Sequence, residues 1–190
     1  MGRLRKTFIR LWRDRRGALI AEFAASLPLL LILVMSGFEC SRYVLLNQKL
    51  DRVTTTVADL VAQEEDITTV EMTALFDAIT PLIAPFTFGS SGKMIVSSIV
   101  LAADGTTIKV AWQQSNGSLT QASKIGVANG TATLPAGMVI RTNETIIIGE
   151  VFYQFTPFFV SNWFASTPIA QVLYHRAFYR PRFGALTSIS

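Results

Sequence analysis

The residue with the clearest potential for chemistry is Glu22, a carboxylate in an otherwise apolar segment. It is the one charged residue among residues 17–38, GALIAEFAASLPLLLILVMSGF. A charged side chain within a membrane helix costs about 2.5–3.5 kcal/mol on insertion scales, so such residues are usually paired and functional. Glu22 therefore either reaches the nearby end of the helix, with Arg15 or Arg16 as its partner, or meets an opposite charge on another molecule.

Two further reactive side chains, His175 and Cys40, occur once each in the 190 residues. A single cysteine excludes an internal disulfide framework and a cysteine-rich metal site, and a single histidine removes most zinc sites. A cysteine that receives a lipid follows small residues, whereas bulky Phe38 and charged Glu39 precede Cys40. We therefore expect this cysteine to be a small buried side chain on a helix. His175 lies among aromatic residues of a predicted strand, where a lone histidine is more often structural than catalytic.

Recognisable catalytic motifs are absent from the sequence. It contains no Gly-x-Ser-x-Gly, His-Glu-x-x-His, phosphate-binding loop or Asp-x-Ser-x-Ser motif. We therefore predict that the chain is not an enzyme, that it has no catalytic residues, and that it uses no cofactor and no metal.

Basic residues are concentrated at the N-terminus. Residues 1–16 carry seven basic side chains and one acidic side chain, whereas the other 174 residues carry ten basic and twelve acidic ones. The overall charge of +4 therefore belongs to a short head, which argues against a nucleic-acid-binding face on the rest of the chain. By the positive-inside rule, the head lies in the cytoplasm and the remainder lies outside.

The apolar segment is long enough to cross a bilayer. As a helix it spans about 33 Å, compared with a hydrocarbon core of about 30 Å. We predict four regions: a basic cytoplasmic leader over residues 1–17, a transmembrane helix over 18–38, a continuing amphipathic helix over 39–63 and a globular α+β domain over 64–190.

The amphipathic region carries a regular apolar stripe. Its members are Tyr43, Leu46, Leu50, Val53, Val57 and Leu60. Steps of three and four residues are typical of one helical face, so a single helix is predicted from about residue 18 to about residue 62. Packing of this stripe on the chain's own domain is the favoured interpretation, and a coiled coil with a partner is the alternative.

The rest of the chain predicts a small α+β domain. Thr68 and Glu71 form a capping box at the start of a short helix that continues to about residue 80, where Pro81 and Pro85 are expected to stop it. Residues 115–137 predict an irregular loop. Antiparallel strands are predicted over 94–102, 106–113, 144–156 and 171–179. A sheet with one apolar face needs a cover, and the amphipathic helix supplies it.

Residues 15–23, RRGALIAEF, resemble the processing site of type IV prepilins of the tight-adherence (Tad, Flp) type. The shared pattern is a basic leader, a glycine, four small or apolar residues, a glutamate and an aromatic residue, here Phe23. In that family a membrane aspartyl peptidase cleaves after the glycine. The resemblance implies cleavage between Gly17 and Ala18. In an assembly, Glu22 of one subunit would then neutralise the new ammonium group of Ala18 on a neighbour.

The distal half carries a second resemblance. Residues 149–159 (GEVFYQFTPFF) and 178–182 (FYRPR) are similar to the closing region of TadE-like proteins of tight-adherence loci. The layout of a long N-terminal helix on a small antiparallel sheet resembles that of pilins and pseudopilins. The major pilins of this system are very short, so the longer mature chain implied here indicates a minor pilin or pseudopilin.

Together these resemblances imply a structural subunit needed for pilus assembly, surface attachment and biofilm formation. The expected partners are inner-membrane lipid, the prepilin peptidase, other pilin and pseudopilin subunits and the tight-adherence machinery, with no nucleic acid. The expected location is the bacterial inner membrane, with a single pass and a periplasmic C-terminal domain, or an extracellular pilus. The alternative is an unprocessed, membrane-anchored periplasmic protein that acts as a sensor, adhesin or tethered enzyme.

Overall fold

The computed structural model describes residues 17–142, 144–159 and 170–190. Within these residues the helices are α1 (Ala18–Gln63), α2 (Thr69–Asp77) and α3 (Ile79–Ile83), and the strands are β1 (Gly92–Leu101), β2 (Ile108–Gly117), β3 (Thr145–Phe155) and β4 (Gln171–Tyr179). The predicted α+β class, with a long N-terminal helix and a small antiparallel sheet, is confirmed. The leader residues Arg15 and Arg16 lie outside the described residues.

The chain divides into two compact units, Met1–Arg42 and Tyr43–Ser190, and α1 contributes residues to both. In the first unit, the described residues form the N-terminal part of this helix, which includes Pro28. The second unit contains the remaining part of α1 together with the other helices and the sheet.

The sheet of the second unit has the strand order β2-β1-β3-β4, and every neighbouring pair is antiparallel. The turn between β1 and β2 is held by Asp104, whose carboxylate accepts hydrogen bonds from the backbone of Thr106 and Thr107. Gly105 occupies the left-handed region, with φ of 71°, which glycine adopts without steric cost. Because this turn extends to residue 107, β2 begins later than predicted and continues to Gly117.

One face of the sheet packs against α1, as predicted. The helix buries Leu46, Leu50, Val53 and Val57 in the same core as the apolar residues of the sheet. The stripe departs from prediction at Leu60, which is exposed, and Val61 is buried in its place. A repeating three-four pattern averages 3.5 residues per turn, whereas an α-helix has 3.6. Residues that follow the pattern therefore turn gradually away from the buried face.

The helix approaches the sheet closely at Gly149 in β3. A Cβ atom at this position would lie 3.1 Å from the Cβ atom of Ala58 and 3.2 Å from the backbone oxygen of Thr54. Both helix residues are fully buried. Glycine and alanine therefore face each other where a larger pair would force the helix away from the sheet.

The opposite face of the sheet is also buried, which corrects the expectation of one apolar face. Ile99, Val110, Ile146 and Ile148 form a second core with Ile125, Ala132 and Ile140. The last three residues belong to the region between β2 and β3, most of which was predicted as an irregular loop. Its backbone also runs along the outer edge of β2, where Val110 N–H donates to Gly130 and Ala132 N–H donates to Ile108. The loop therefore covers both a sheet face and a sheet edge.

The predicted capping box is present at the start of α2. The Thr68 hydroxyl accepts from the backbone N–H of Glu71, and the Glu71 carboxylate accepts from the backbone N–H of Thr68. This backbone hydrogen bond lowers the pKa of Glu71 below its ordinary value. The prediction that Pro81 ends the short helix is wrong, because Pro81 lies inside α3. It occupies the first turn of that helix, where a backbone N–H would have no helical partner.

Candidate membrane and assembly segment

Residues 17–38, here called the assembly segment, have no buried side of their own. All residues from 17 to 34 are exposed, and they include six consecutive large apolar residues, Leu29 to Val34. Successive residues of an α-helix point about 100° apart, so six in a row expose apolar surface on every side. A window of α1 has a mean hydropathy of 2.3 with none of it buried, which makes α1 long and apolar enough to cross a membrane. A helix that is apolar all round requires lipid or other helices as its surroundings.

Glu22 is the acidic residue of this segment, and it is exposed within α1. Among the residues that the structure describes, none provides a hydrogen bond or an ion pair to its carboxylate. Ala18, the first residue of α1, lies four positions earlier and therefore on the same helical face. The structure thus places the predicted charge partners one turn apart on a surface that nothing in the described chain covers.

Gly17 directly precedes α1, so the predicted cleavage point coincides with the start of the helix. A Cβ atom built at Gly17 would meet no described atom within 4 Å. The same holds for Gly37 at the other end of the assembly segment. The described fold therefore gives no packing reason for glycine at position 17, and an alanine there would be accommodated without strain.

The segment is followed by a short charged turn of α1. Arg42 donates from Nη1 to Glu39 Oε1 at 2.9 Å, so this second acid has a partner one helical turn away within the chain. Cys40 lies between them and is exposed, which corrects the expectation of a buried side chain. The physical reason is that the described first unit forms no core around this part of α1.

His175 contacts the part of α1 that belongs to the second unit. Its Nε2 atom lies 3.1 Å from Asn47 Oδ1, and its Nδ1 atom lies 3.9 Å from Asp51 Oδ1. Asn47 and Asp51 are four residues apart, so both face β4 from the same side of the helix. His175 therefore joins a strand to a helix, and the described surroundings provide no adjacent serine or cysteine hydroxyl or thiol partner.

A polar cluster that the sequence analysis did not identify lies on the second face of the sheet. Glu150, in the centre of β3, is fully buried. Its Oε1 atom accepts from the backbone N–H of Lys124 at 3.0 Å and from the Tyr174 hydroxyl at 2.8 Å, while the Ser123 hydroxyl donates to Oε2. The Lys124 ammonium lies 4.0 Å from the centre of the Tyr174 ring. A buried carboxyl group is tolerated only when such hydrogen-bond partners surround it.

The physical role of this cluster is to attach the region between β2 and β3, here called the covering loop, to the sheet. Burial, together with the hydrogen bond to Glu150, raises the pKa of Tyr174 well above its ordinary value, so the phenol stays protonated and remains a donor. Glu150 interrupts the apolar run TIIIGEVFYQF, which is the signal that could have predicted a buried, partnered acid. Its partners on the loop are too distant in sequence to be predicted.

Other clefts offer little chemistry. A cleft of about 490 Å³ lies beside the β1–β2 turn, and its acidic lining residues are Asp104 and Glu144. The Asp104 carboxylate accepts a hydrogen bond from the backbone of the turn. The Glu144 carboxylate lies 3.8 Å from Nη1 of Arg141 and 3.7 Å from Nη1 of Arg180. Among residues 17–142, 144–159 and 170–190, no group of three His, Cys, Asp or Glu side chains is placed to hold a metal ion.

The N-terminal part of the chain is similar to one known protein family. The family model for TadE-like proteins matches residues 17–59, a range that begins at Gly17 and includes Glu22. No curated protein and no solved structure matches the chain. The match confirms the predicted TadE-like family over residues 17–59, whereas the resemblance at residues 149–159 and 178–182 lies outside the matched range and stays a prediction. The chain therefore carries a TadE-like segment that includes the whole assembly segment and most of the remainder of α1.

Proposed function

We propose that the chain is a structural minor pilin or pseudopilin of a tight-adherence pilus. In this proposal it is needed for pilus assembly, surface attachment and biofilm formation, and a prepilin peptidase cleaves it between Gly17 and Ala18. The observation that carries the proposal is the assembly segment, an apolar helix exposed on all sides that contains one acid and matches the TadE-like family model.

The proposed surroundings of the assembly segment change during the life of the subunit. Before assembly it crosses the bacterial inner membrane once, with the basic leader in the cytoplasm and the C-terminal domain in the periplasm. During assembly it leaves the lipid and packs against the equivalent helices of other pilin and pseudopilin subunits, guided by the tight-adherence machinery. Both environments are apolar, so moving between them does not expose the segment to water.

The proposed role of Glu22 is to fix the position of one subunit relative to the next. Cleavage would create an ammonium group at Ala18, one helical turn from Glu22. Removing one member of a buried ion pair costs about 3–5 kcal/mol, because the other charge is left uncompensated. A bundle in which each Glu22 meets the Ala18 ammonium group of a neighbour is therefore favoured over a bundle that is shifted along its axis.

The test is a pair of matched substitutions, Glu22→Gln and Glu39→Gln, followed by quantification of the chain in purified filaments. Both remove one carboxylate from α1, but Glu39 has its partner Arg42 within the chain. We expect Glu22→Gln to reduce incorporation at least tenfold, since about 1.4 kcal/mol corresponds to a factor of ten and a broken buried pair costs more. Glu39→Gln is expected to assemble normally.

Equal incorporation of both variants would contradict the proposed pairing. Absence of the wild-type chain from purified filaments would favour the alternative of an unprocessed, single-pass anchored periplasmic protein. Measuring the amount of each variant in the membrane fraction ensures that a loss of incorporation is not a loss of protein.

A further inference from the structure

The two outer edges of the sheet differ in whether the chain covers them. At β2, the covering loop supplies backbone partners, since the Val110 N–H donates to Gly130 and the Ala132 N–H donates to Ile108. At β4, no described residue forms a backbone hydrogen bond on the side away from β3. Within the part of the chain that the structure describes, β4 is therefore an open edge strand.

The pairing pattern identifies which backbone groups of β4 are open. Gln154 of β3 donates its N–H to Ser91, which is on the β1 side. Successive residues of an antiparallel strand direct their N–H and C=O groups to alternate sides, so Tyr153 directs its groups toward Leu173 of β4. The same alternation along β4 turns the backbone groups of four residues, here called the outward residues, away from β3: Val172, Tyr174, Arg176 and Phe178.

The open edge lacks most of the features that prevent a strand from pairing. Edge strands are commonly very short, bulged or interrupted by proline, and each of these features obstructs an added strand. β4 is nine residues long, pairs with β3 in one unbroken register and contains no proline. Its outer edge is therefore a regular template of N–H and C=O groups that matches an extended polypeptide.

The charges beside this edge indicate the chemistry of a matching polypeptide. The Lys124 ammonium group and the Arg176 guanidinium group lie over aromatic rings of β4, at 4.0 and 5.4 Å from the ring centres, and both residues are exposed. Glu150, which is opposite Arg176 in the sheet, is fully buried and already accepts three hydrogen bonds. On the other face, His175 and Asp51 face each other. The accessible charge on the second face is therefore positive, which favours an acidic partner.

We propose that the outer edge of β4 is a docking site for an extended acidic segment of a partner protein. The partner's backbone pairs with the outward residues, and its acidic side chains, at alternate positions, meet Lys124 and Arg176. In this mode of recognition, main-chain hydrogen bonds provide affinity and side chains provide specificity. The site lies wholly within the second unit, so it does not depend on cleavage at Gly17 or on pairing of Glu22.

The experiment uses two synthetic peptides as probes and the full chain in detergent micelles at neutral pH. One peptide alternates valine and glutamate over the length of β4, and the control peptide has lysine in place of glutamate. Hydrogen exchange of single amides, followed by nuclear magnetic resonance, reports binding. Without peptide, we expect the amides of the outward residues to exchange faster than those of Leu173, His175 and Ala177, which face β3.

The expected result is that the glutamate peptide slows exchange of the outward amides at least fivefold and leaves the inward amides unchanged. The lysine peptide should bind several-fold more weakly. Outward amides that are already slow without peptide would overturn the proposal, because the chain itself or a second copy would then occupy the edge. Absence of protection by the glutamate peptide would overturn the docking site, and equal binding of the two peptides would overturn its preference for acids.

Two substitutions separate the backbone contribution from the charge contribution. Val172→Pro removes one outward N–H at an exposed position, where an edge strand tolerates proline, and it should weaken binding of the glutamate peptide several-fold. Val172→Ala keeps that N–H and should bind as the wild type does. Arg176→Gln leaves the backbone intact and should reduce the difference between the two peptides. Unchanged binding by Val172→Pro with normal exchange at the inward amides, or an unchanged difference in Arg176→Gln, would contradict the proposed contacts.

Discussion

The two parts of α1 have the same secondary structure but opposite relations to their surroundings. In the first unit, large apolar side chains are exposed on every side of the helix, whereas in the second unit one stripe is buried and charged residues occupy the remaining faces. Leu30 is 49% exposed and Leu50 is 0% exposed, although both are leucines of the same helix. The comparison shows that the second part has its burial partners within the chain, whereas the first part has none among the residues that the structure describes.

The largest expected effect follows from replacing the buried leucine. Leu50→Ala removes a side chain that is fully enclosed by the core between α1 and the sheet. We expect the free energy of unfolding of the second unit to fall by about 2–5 kcal/mol, since the lost burial is increased by the cavity that remains. Denaturant titration of the full chain in detergent micelles, followed by near-ultraviolet circular dichroism, measures this change.

Leu30→Ala is the matched control for this prediction. It makes the same chemical change at an exposed position of the same helix, and we expect a change within about 0.5 kcal/mol. Similar destabilisation by the two variants would contradict the division of α1 into an unpartnered part and a packed part.

Leu30→Arg places a charge in the assembly segment, so we expect it to affect membrane insertion and not the folding of the second unit. A charged residue in the centre of a membrane helix costs about 2.5–3.5 kcal/mol, so we expect a marked loss of the chain from the membrane fraction. The unfolding midpoint of the second unit should remain at its wild-type value. A variant that stays fully membrane-bound would show that residues 17–38 are not the anchor.

A smaller effect is expected when the buried glutamate of the second unit is replaced by glutamine. Glu150→Gln keeps the shape of the side chain but weakens its hydrogen bonds with Ser123, Lys124 and Tyr174. We expect a loss of about 1–3 kcal/mol, the usual penalty for buried polar groups that lose their partners. Hydrogen exchange should show faster opening of the covering loop. Glu144→Gln, at a partly exposed ion pair, is the control and should cost less than about 1 kcal/mol.

The smallest effect concerns the exposed turn between β1 and β2. Hydrogen bonds from the Thr107 side chain and from the backbone of Thr107 and Thr106 lower the pKa of Asp104 from 3.8 to about 2. Because the folded state holds the carboxylate ionised, this contribution to stability is fully present above pH 4 and is lost as the pH falls toward 2. Asp104→Asn should therefore flatten the decline in stability between pH 4 and pH 2. An unchanged slope would contradict the assigned role of the carboxylate.

Much of the fold could be predicted because its signals are local. The three-four spacing from Tyr43 to Val57 predicts the packed face of α1, and the Thr68 and Glu71 pair predicts the start of α2. The apolar segments 94–102, 106–113, 144–156 and 171–179 predict the strands. Leu60 and Pro81 were misassigned because helical rotation and first-turn geometry shift residues relative to a simple pattern.

The second core and the Glu150 cluster could not be predicted because they depend on contacts between residues distant in sequence. Ser123 and Lys124 lie in a region whose composition resembles an irregular loop, and only the folded chain brings them to the centre of β3. At the assembly segment, the helix starting at Ala18 was predicted correctly. Cleavage at Gly17 and pairing of Glu22 remain predictions, since both involve molecules other than this chain.

The most direct test of the central claim is the intact mass of the chain purified from membranes of its native host. Gly17→Ala and Gly37→Ala are matched variants, because an added Cβ atom meets no described atom at either position. We predict that the wild-type chain and the Gly37→Ala variant begin at Ala18, and that the Gly17→Ala variant begins at Met1. A wild-type chain that retains residues 1–17 would contradict the account, because no ammonium group would then exist at Ala18 to pair with Glu22.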